Sequence, residues 1–298
     1  IRWMNLNRLI ILNKKVGSII EEGNFDFLWV NPCQLQNSPA ILNFVKKTPK
    51  LFLCQEPLRV LYEEMPIRPY DKKINRVRKL LDFIDPLRQL FFRKLKINDR
   101  SNIQQANLIL VNSDFMKETV SKVYPVKPKT NYAGVDIKFF TPENLPKENF
   151  LFSVGSLTPL KGFDFIIRSI ALLPKEIRLP LVIASNFENP PERTYLQELA
   201  IELNIELRLM VGISDQLLKD LYNKATLTLY APIREPFGLV AIESMACGTP
   251  VVGVAEGGLV ETIQHQTTGL LTQRNEQEFA KAIQTLLSNP QKINEFRK

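Results

Sequence analysis

The chain has 298 residues, 45% of them hydrophobic and 23% charged, with a formal net charge of +8. This is the make-up of one large globular domain or two small ones, not of a fibrous or disordered chain. No run of about 18 apolar residues is present to cross a membrane, and the opening residues lead us to expect no secretory leader. The charge is uneven: residues 1–150 hold 25 Lys and Arg against 15 Asp and Glu, a net +10, and residues 151–298 hold 14 against 16, a net −2. The first half should therefore favour an anionic partner or surface. Cys33, Cys54 and Cys247 include no Cys-x-x-Cys pair, and His265 is the sole histidine. A disulfide framework, a zinc site and a Ser-His-Asp triad are not expected, and buried thiols in a reducing cytosol are.

The chain opens at Ile1 without a start methionine, and Asn5 to Gly23 already reads as a helix, so we expect a piece of a longer protein. Phe25 to Val30, Lys50 to Cys54 and Ala106 to Val111 read as strands, and Ile41 to Lys47 as a helix. Ser113 looks like the N-cap of a helix running to about Val123. Between them, Arg68 to Arg100 interleaves Lys72, Lys73, Arg76, Arg88, Arg93 and Lys94 with Leu80, Phe83, Leu87 and Leu90. A helix packed on its own sheet with a solvated basic face is one reading; a surface resting on anionic lipid is another. Pro86 should split the segment into two helices. No nucleic-acid module accompanies the charge, so no nucleic-acid partner is expected. Prolines and polar residues from Phe140 to Glu148 suggest a join, giving domains 1–147 and 148–298.

In the second half, Phe150 to Gly155 reads as a strand, and Lys161-Gly162 opens a helix to about Leu173. Leu181 to Ser185 and Leu207 to Val211 are further strands, Asp215 to Tyr222 a helix, Gly269 to Leu271 a late edge strand and Glu276 to Leu287 a helix. Strands alternating with helices imply parallel, doubly wound sheets.

The densest chemistry lies from Ile233 to Thr262. A buried strand ends at Ala231, a helix beginning at about Phe237 runs to Ala246, and Pro250 to Val254 is the next strand. The amides of Phe237, Gly238 and Leu239 would then lack partners inside the helix and, with its dipole, seat an anion. Glu235 stands before that seat and Glu243 one to two turns beyond it. A nucleoside-diphosphate sugar fits: phosphates on the amides, one carboxylate for sugar hydroxyls, one for the ribose diol. Lys161 follows another strand and glycine turn, where a diphosphate needs a cation.

Glu235 and Glu243 flanking Pro236-Phe237-Gly238, then Gly248 to Val252, Gly257-Gly258 and Glu261, resemble the signature of glycosyltransferase family 4, retaining transferases built from two Rossmann-like domains (the GT-B fold). Asn112 to Phe115 and Tyr132 to Asp136 resemble two recurring stretches of its acceptor domain. The resemblance implies a cleft between two doubly wound domains and hexose transfer from a UDP- or GDP-linked sugar. The acceptor would be a glycan, lipid-linked or small molecule, as in cell-surface polysaccharide synthesis, with no cofactor and no metal.

Residue by residue, the resemblance gives Lys161 the donor diphosphate, Glu235 the sugar, Glu243 the ribose and Ile213 the base through its backbone. Ser156, Arg234, Pro236 and the amides of Phe237, Gly238 and Leu239 complete the donor side. Gln55, Gly257 and Gly258 fall on the sugar and acceptor side. No general base is assigned, because in such enzymes the leaving phosphate takes the acceptor proton. The buried thiols point to the cytoplasm, and the lipid reading of Arg68 to Arg100 to a peripheral place on the inner membrane face.

This chain departs from the pattern in places. Ser156 stands where many relatives carry arginine, and Gln55 where many carry a histidine; glutamine hydrogen-bonds but gives no proton. The family's first strand and glycine-rich loop, and its final crossing helix, have no match, so both extremities are expected to be trimmed. A sugar-nucleotide-binding module without turnover remains open beside the transferase. A dehydrogenase is disfavoured, because no Gly-x-Gly-x-x-Gly follows a strand.

Overall fold

The computed structural model describes residues 2–33, 36–72, 85–143 and 145–297. They fall into two compact units, Ile1–Tyr132 and Ala133–Lys298.

The first unit opens with helix α1 (Arg2–Glu22), then β1 (Leu28–Val30), α2 (Ile41–Phe44) and β2 (Lys50–Leu53). Short helices α3 (Arg59–Tyr62) and α4 (Pro69–Lys72) lead to α5 (Pro86–Ile103), β3 (Leu108–Val111), α6 (Asp114–Val123) and β4 (Lys129–Thr130). The strands form one parallel sheet in the order β1-β2-β3-β4. β1 is shorter than its apolar run because Phe25 and Phe27 lie outside the ladder, exposed, before the first pairing of Leu28 with Lys50. Ser113 caps α6 as expected, accepting from the Met116 amide at 3.0 Å. Pro86 sits in the first turn of α5, behind Asp85 as N-cap. The helix expected before Pro86, with Lys73, Arg76, Leu80 and Phe83, lies outside the described residues. Arg68 is buried, so it adds nothing to a basic surface.

The core of this unit gathers Val30, Leu42, Val45, Phe52, Ile109, Val111 and Met116. A carboxylate is buried beside it. Asp99 on α5 accepts from the Tyr62 hydroxyl at 2.8 Å, the Tyr124 hydroxyl at 2.5 Å and the Ser38 amide at 3.2 Å. Burial and the Asp99 carboxylate push both phenols far above their ordinary range, so both stay protonated donors.

The second unit contains β5 (Leu151–Val154), a 3₁₀ turn (Pro159–Lys161), α7 (Phe163–Ala171), β6 (Leu181–Ser185), α8 (Pro190–Glu202) and β7 (Leu207–Val211). Then follow α9 (Asp215–Lys224), β8 (Leu227–Tyr230), α10 (Leu239–Ala246), β9 (Val251–Val254), α11 (Leu259–Thr262), β10 (Gly269–Thr272), α12 (Glu276–Leu287) and α13 (Pro290–Phe296). The unit begins before the join read from the prolines, because that segment packs onto it. The Phe140 ring meets Tyr222 at 6.0 Å, the Glu143 amide donates to Asn223 Oδ1 at 2.7 Å, and Asn223 donates to the Thr141 carbonyl at 3.2 Å.

Its sheet is wholly parallel, in the order β10-β9-β8-β5-β6-β7. Strands β6, β8 and β9 are buried on both faces, as parallel strands covered by helices must be. From β5 the chain winds outward through β6 to β7, then returns to β8 and winds the other way to β10. The β5–β8 neighbourhood is thus the switch point at whose carboxyl ends a ligand crevice opens in such sheets. Among the described residues no helix is long and apolar enough to cross a membrane.

Replacing Tyr124 with Phe leaves Asp99 short of one donor, and is expected to destabilise the protein by about 1–3 kcal/mol. Urea unfolding reads this directly; unchanged stability would contradict the part given to the buried carboxylate.

Candidate functional site

The loops that leave the carboxyl ends of β5, β7, β8 and β9 each bring expected residues to the same end of the second sheet. Ser156 and Lys161 follow β5, Ile213 follows β7, Arg234 to Leu239 follow β8, and Gly257-Gly258 follow β9. Gln55 stands in the first unit, exposed, just beyond the carboxyl end of β2.

At the switch point the β5 and β8 loops are stitched by backbone. The Ile233 amide donates to the Leu160 carbonyl at 2.8 Å. Gly162 has φ +66°, and a Cβ there would stand 2.1 Å from the Ala231 carbonyl oxygen, so only glycine allows the approach. The helix expected to open at Lys161 therefore starts at Phe163, with Lys161 ending the 3₁₀ turn. Next to this stitch, Lys161 Nζ bonds Glu235 Oε2 at 2.9 Å, the two side chains being 25% and 15% exposed. Half-buried and reachable, the pair is open to a competing anion.

The β9 loop presses on the other side of Glu235. The Gly258 amide donates to the Glu235 carbonyl at 2.7 Å. A Cβ on Gly257 would lie 2.3 Å from that same oxygen, and one on Gly258 2.5 Å from the Pro236 carbonyl oxygen. The glycine pair is what allows the two loops to lie together. Arg234 itself is exposed and takes φ +48°, a rare conformation for a residue with a side chain.

The helix tip differs from expectation. α10 begins at Leu239, with Gly238 in a left-handed conformation (φ 107°) as N-cap, and Phe237 is a core side chain. Phe237 looks helical in the sequence because its apolar side chain falls in step with the helix face. The Ala241 amide already bonds the Gly238 carbonyl at 3.0 Å. The first-turn amides ahead of that bond are therefore those of Leu239 and Val240, one to two residues later than predicted.

Glu243, inside α10, accepts from the Tyr222 hydroxyl at 2.8 Å. Burial, opposed by that bond and reinforced by the Asp215 carboxylate, raises its carboxyl above the ordinary value. Tyr230, at the end of β8, bonds Glu235 and also feels the charge of Glu243; burial first, then those carboxylates, hold its phenol protonated. The two glutamates thus share a wall of two buried tyrosines. Ser156 donates to Asn186 Oδ1 at 3.0 Å, at the end of β6, and Ile213 packs beside Gly212.

Sequence reasoning missed Arg274, which follows β10. Its guanidinium donates to the Ala231 and Pro232 carbonyls at 3.0 and 2.7 Å and forks onto Glu256 at 2.7 and 2.8 Å. It also lies over the Phe165 ring of α7, 5.4 Å from its centroid. One side chain ties together the segments that carry Lys161, Glu235 and Gly257. The available signal was its position, one residue beyond Gln273 at the same sheet end as the other site loops.

A family model described as glycosyl transferases group 1 matches residues 136–298, more than half of the chain. D-inositol 3-phosphate glycosyltransferase of Mycobacteroides abscessus is 32% identical over 208 residues, covering 64% of this chain and 46% of that protein. An uncharacterized glycosyltransferase of Methanocaldococcus jannaschii is 34% identical over 145 residues, covering 48% and 36%. The chain spans about half the length, or less, of the curated relatives it matches. Among solved structures, Anabaena HepE in complex with UDP and glucose aligns with a TM-score of 0.73 and 20% identity, over 96% of this chain and 74% of that one. Sucrose-phosphate synthase of Thermosynechococcus elongatus aligns at 0.68 and 23%, over 87% and 63%. This likeness is one of fold: two parallel-sheet α/β domains of the GT-B class, as expected from the sequence.

A carboxyl raised above its ordinary 4.5 binds more protons folded than unfolded, so Glu243 costs stability as pH rises through that window. Glu243→Gln should therefore be more stable than the parent at neutral pH, and the difference should fade below about pH 4.5. Thermal unfolding from acid to neutral pH measures it, and a variant weaker at neutral pH contradicts the strained carboxylate.

Proposed function

This chain belongs to the glycosyl transferases group 1 family, and we propose that it forms the donor side of a retaining, family 4 transferase. The reaction moves a hexose from a UDP- or GDP-linked sugar to a glycan, lipid-linked or small-molecule acceptor in the cytoplasm. The observation that carries this reading is the Lys161–Glu235 pair at the β5–β8 switch point, one helix tip away from Glu243. HepE, solved with UDP and glucose and with UDP-glucose, supports the nucleotide-sugar class of donor. The D-inositol 3-phosphate glycosyltransferases support a hydroxyl-bearing acceptor.

In this mechanism the donor diphosphate takes Lys161 from Glu235 and rests on the first-turn amides of α10. Glu243 accepts the ribose hydroxyls while Tyr222 holds its carboxylate in place. Ile213 offers backbone to the base. Glu235, released from the lysine, orients the sugar, with Gly257-Gly258 closing behind it. As the bond to the anomeric carbon breaks, negative charge grows on the leaving phosphate beside Lys161, and a preorganised cation there stabilises the transition state more than the ground state. The acceptor enters on the face the phosphate leaves, its proton passing to a phosphate oxygen, which gives retention without a protein base. Gln55 serves the sugar and acceptor side as a hydrogen-bonding group. No step in this scheme calls on a metal.

The test supplies labelled UDP- and GDP-hexoses with glycan and lipid-linked acceptors. Labelled product should form, persist in a metal chelator, and fall roughly 10²–10³-fold in Glu235→Gln. Lys161→Ala should weaken nucleoside-diphosphate binding by about 1.5–3 kcal/mol, the loss of a charge-assisted bond. Donor binding without any labelled product would replace the transferase with a binding module.

A further inference from the structure

Among the described residues of the first unit, two helices carry basic residues with few acids on the same helix. Apart from Glu21 and Glu22 in its last turn, α1 carries no acidic side chain, and from Pro86 to Asn98 α5 carries none either. On α1 the face turned away from buried Leu6 and Gly17 repeats at helical spacing as Arg8, Ile11, Leu12 and Lys15. Ile11 and Leu12 are 58% and 56% exposed. On α5 the face opposite buried Leu95 and Asp99 holds Leu90, Arg93, Lys94 and Ile97, with Leu90 and Ile97 53% and 58% exposed. The helices meet where Trp3 packs edge-on against Phe91 at 5.5 Å, with the Lys94 ammonium 5.6 Å from the Trp3 ring centroid.

We propose that the exposed faces of α1 and α5 form a docking surface for an anionic phospholipid bilayer. The case rests on chemistry that alternates within one face. Cations on helix stretches that carry no acid of their own call for a negative surface, which alone would fit many partners. Aliphatic side chains set between those cations need an apolar layer directly beneath the charge. A bilayer interface offers both at the right depth, phosphates above and acyl chains below, and arginine and lysine stems reach back to the phosphates while leucine and isoleucine enter. Nucleic acid would reward the cations but leave the exposed Ile11, Leu12, Leu90 and Ile97 in water. The face lies on the unit that the proposed function assigns to the acceptor, yet the inference does not depend on that reading.

The test is co-sedimentation of the full chain with vesicles of phosphatidylcholine mixed with phosphatidylglycerol, against phosphatidylcholine alone, with no sugar donor present. Binding should require the anionic lipid and weaken as salt is raised. The double variant Arg93→Gln, Lys94→Gln should lose roughly tenfold or more of the partitioning. Leu90→Gln with Ile97→Gln should lose binding even at low salt, which a purely electrostatic surface would not. All four positions are exposed, so unchanged circular dichroism and melting are required of the variants. Equal binding to both vesicle types, or none to the anionic ones, overturns the proposal. A dimer in size-exclusion chromatography that Leu90→Gln, Ile97→Gln dissolves would give the face to a second copy and overturn it too. Because no donor is present, failure here leaves glycosyl transfer untouched, and failure of transfer leaves the docking result standing.

Discussion

The ion pair between Lys161 and Glu235 joins the loops that leave β5 and β8, the neighbouring strands from which the chain winds in opposite directions. Neither residue is placed by its own helix or strand. The contact exists because the Leu160–Ile233 backbone bond and the absent side chain of Gly162 bring two loops to van der Waals distance. A half-buried pair of opposite charges has lost part of its hydration, so separating it without a replacement is unfavourable. A diphosphate supplies that replacement for the lysine, and sugar hydroxyls supply it for the carboxylate. The resting contact therefore keeps both groups satisfied and aimed at one place until a ligand takes them over.

Around this pair the protein invests in rigidity. Tyr222 and Tyr230 stand behind the two glutamates as buried donors that remain protonated, and Arg274 spans the loops from β8 and β9 with both arms of its guanidinium. The raised carboxyl of Glu243 shows where stability is given up. A charge held partly out of water, near Asp215, fits a position kept for a ligand's hydroxyls rather than for the fold.

Much of this was legible in the sequence, for reasons that differ by element. Leu181 to Ser185 announced itself because a strand buried on both faces is a nearly continuous apolar run, and Glu276 to Leu287 because its cap and amphipathic spacing agree. Lys161, Glu235 and Glu243 could be picked out because charged residues beside glycine turns stand apart from an apolar background. What stayed hidden depends on distance along the chain. Tyr222 and Glu243 are 21 residues apart, and Arg274 and Ala231 are 43 apart, so no local pattern links them. The start of α10 was misplaced because Phe237 continues the helical spacing while its backbone has not yet turned; Gly238, at φ 107°, makes that turn. The basic segment was read as Arg68 to Arg100, but burial removes Arg68, and the matching face on α1 becomes visible only once Trp3 is seen against Phe91.

A crystal structure of this chain with an intact nucleotide sugar tests the central claim most directly. The account predicts the diphosphate between Lys161 and the α10 tip, Glu235 moved from the lysine to the sugar hydroxyls, and Glu243 on the ribose. A bound nucleotide sugar that left the Lys161–Glu235 contact intact and lay elsewhere on the second sheet would contradict it.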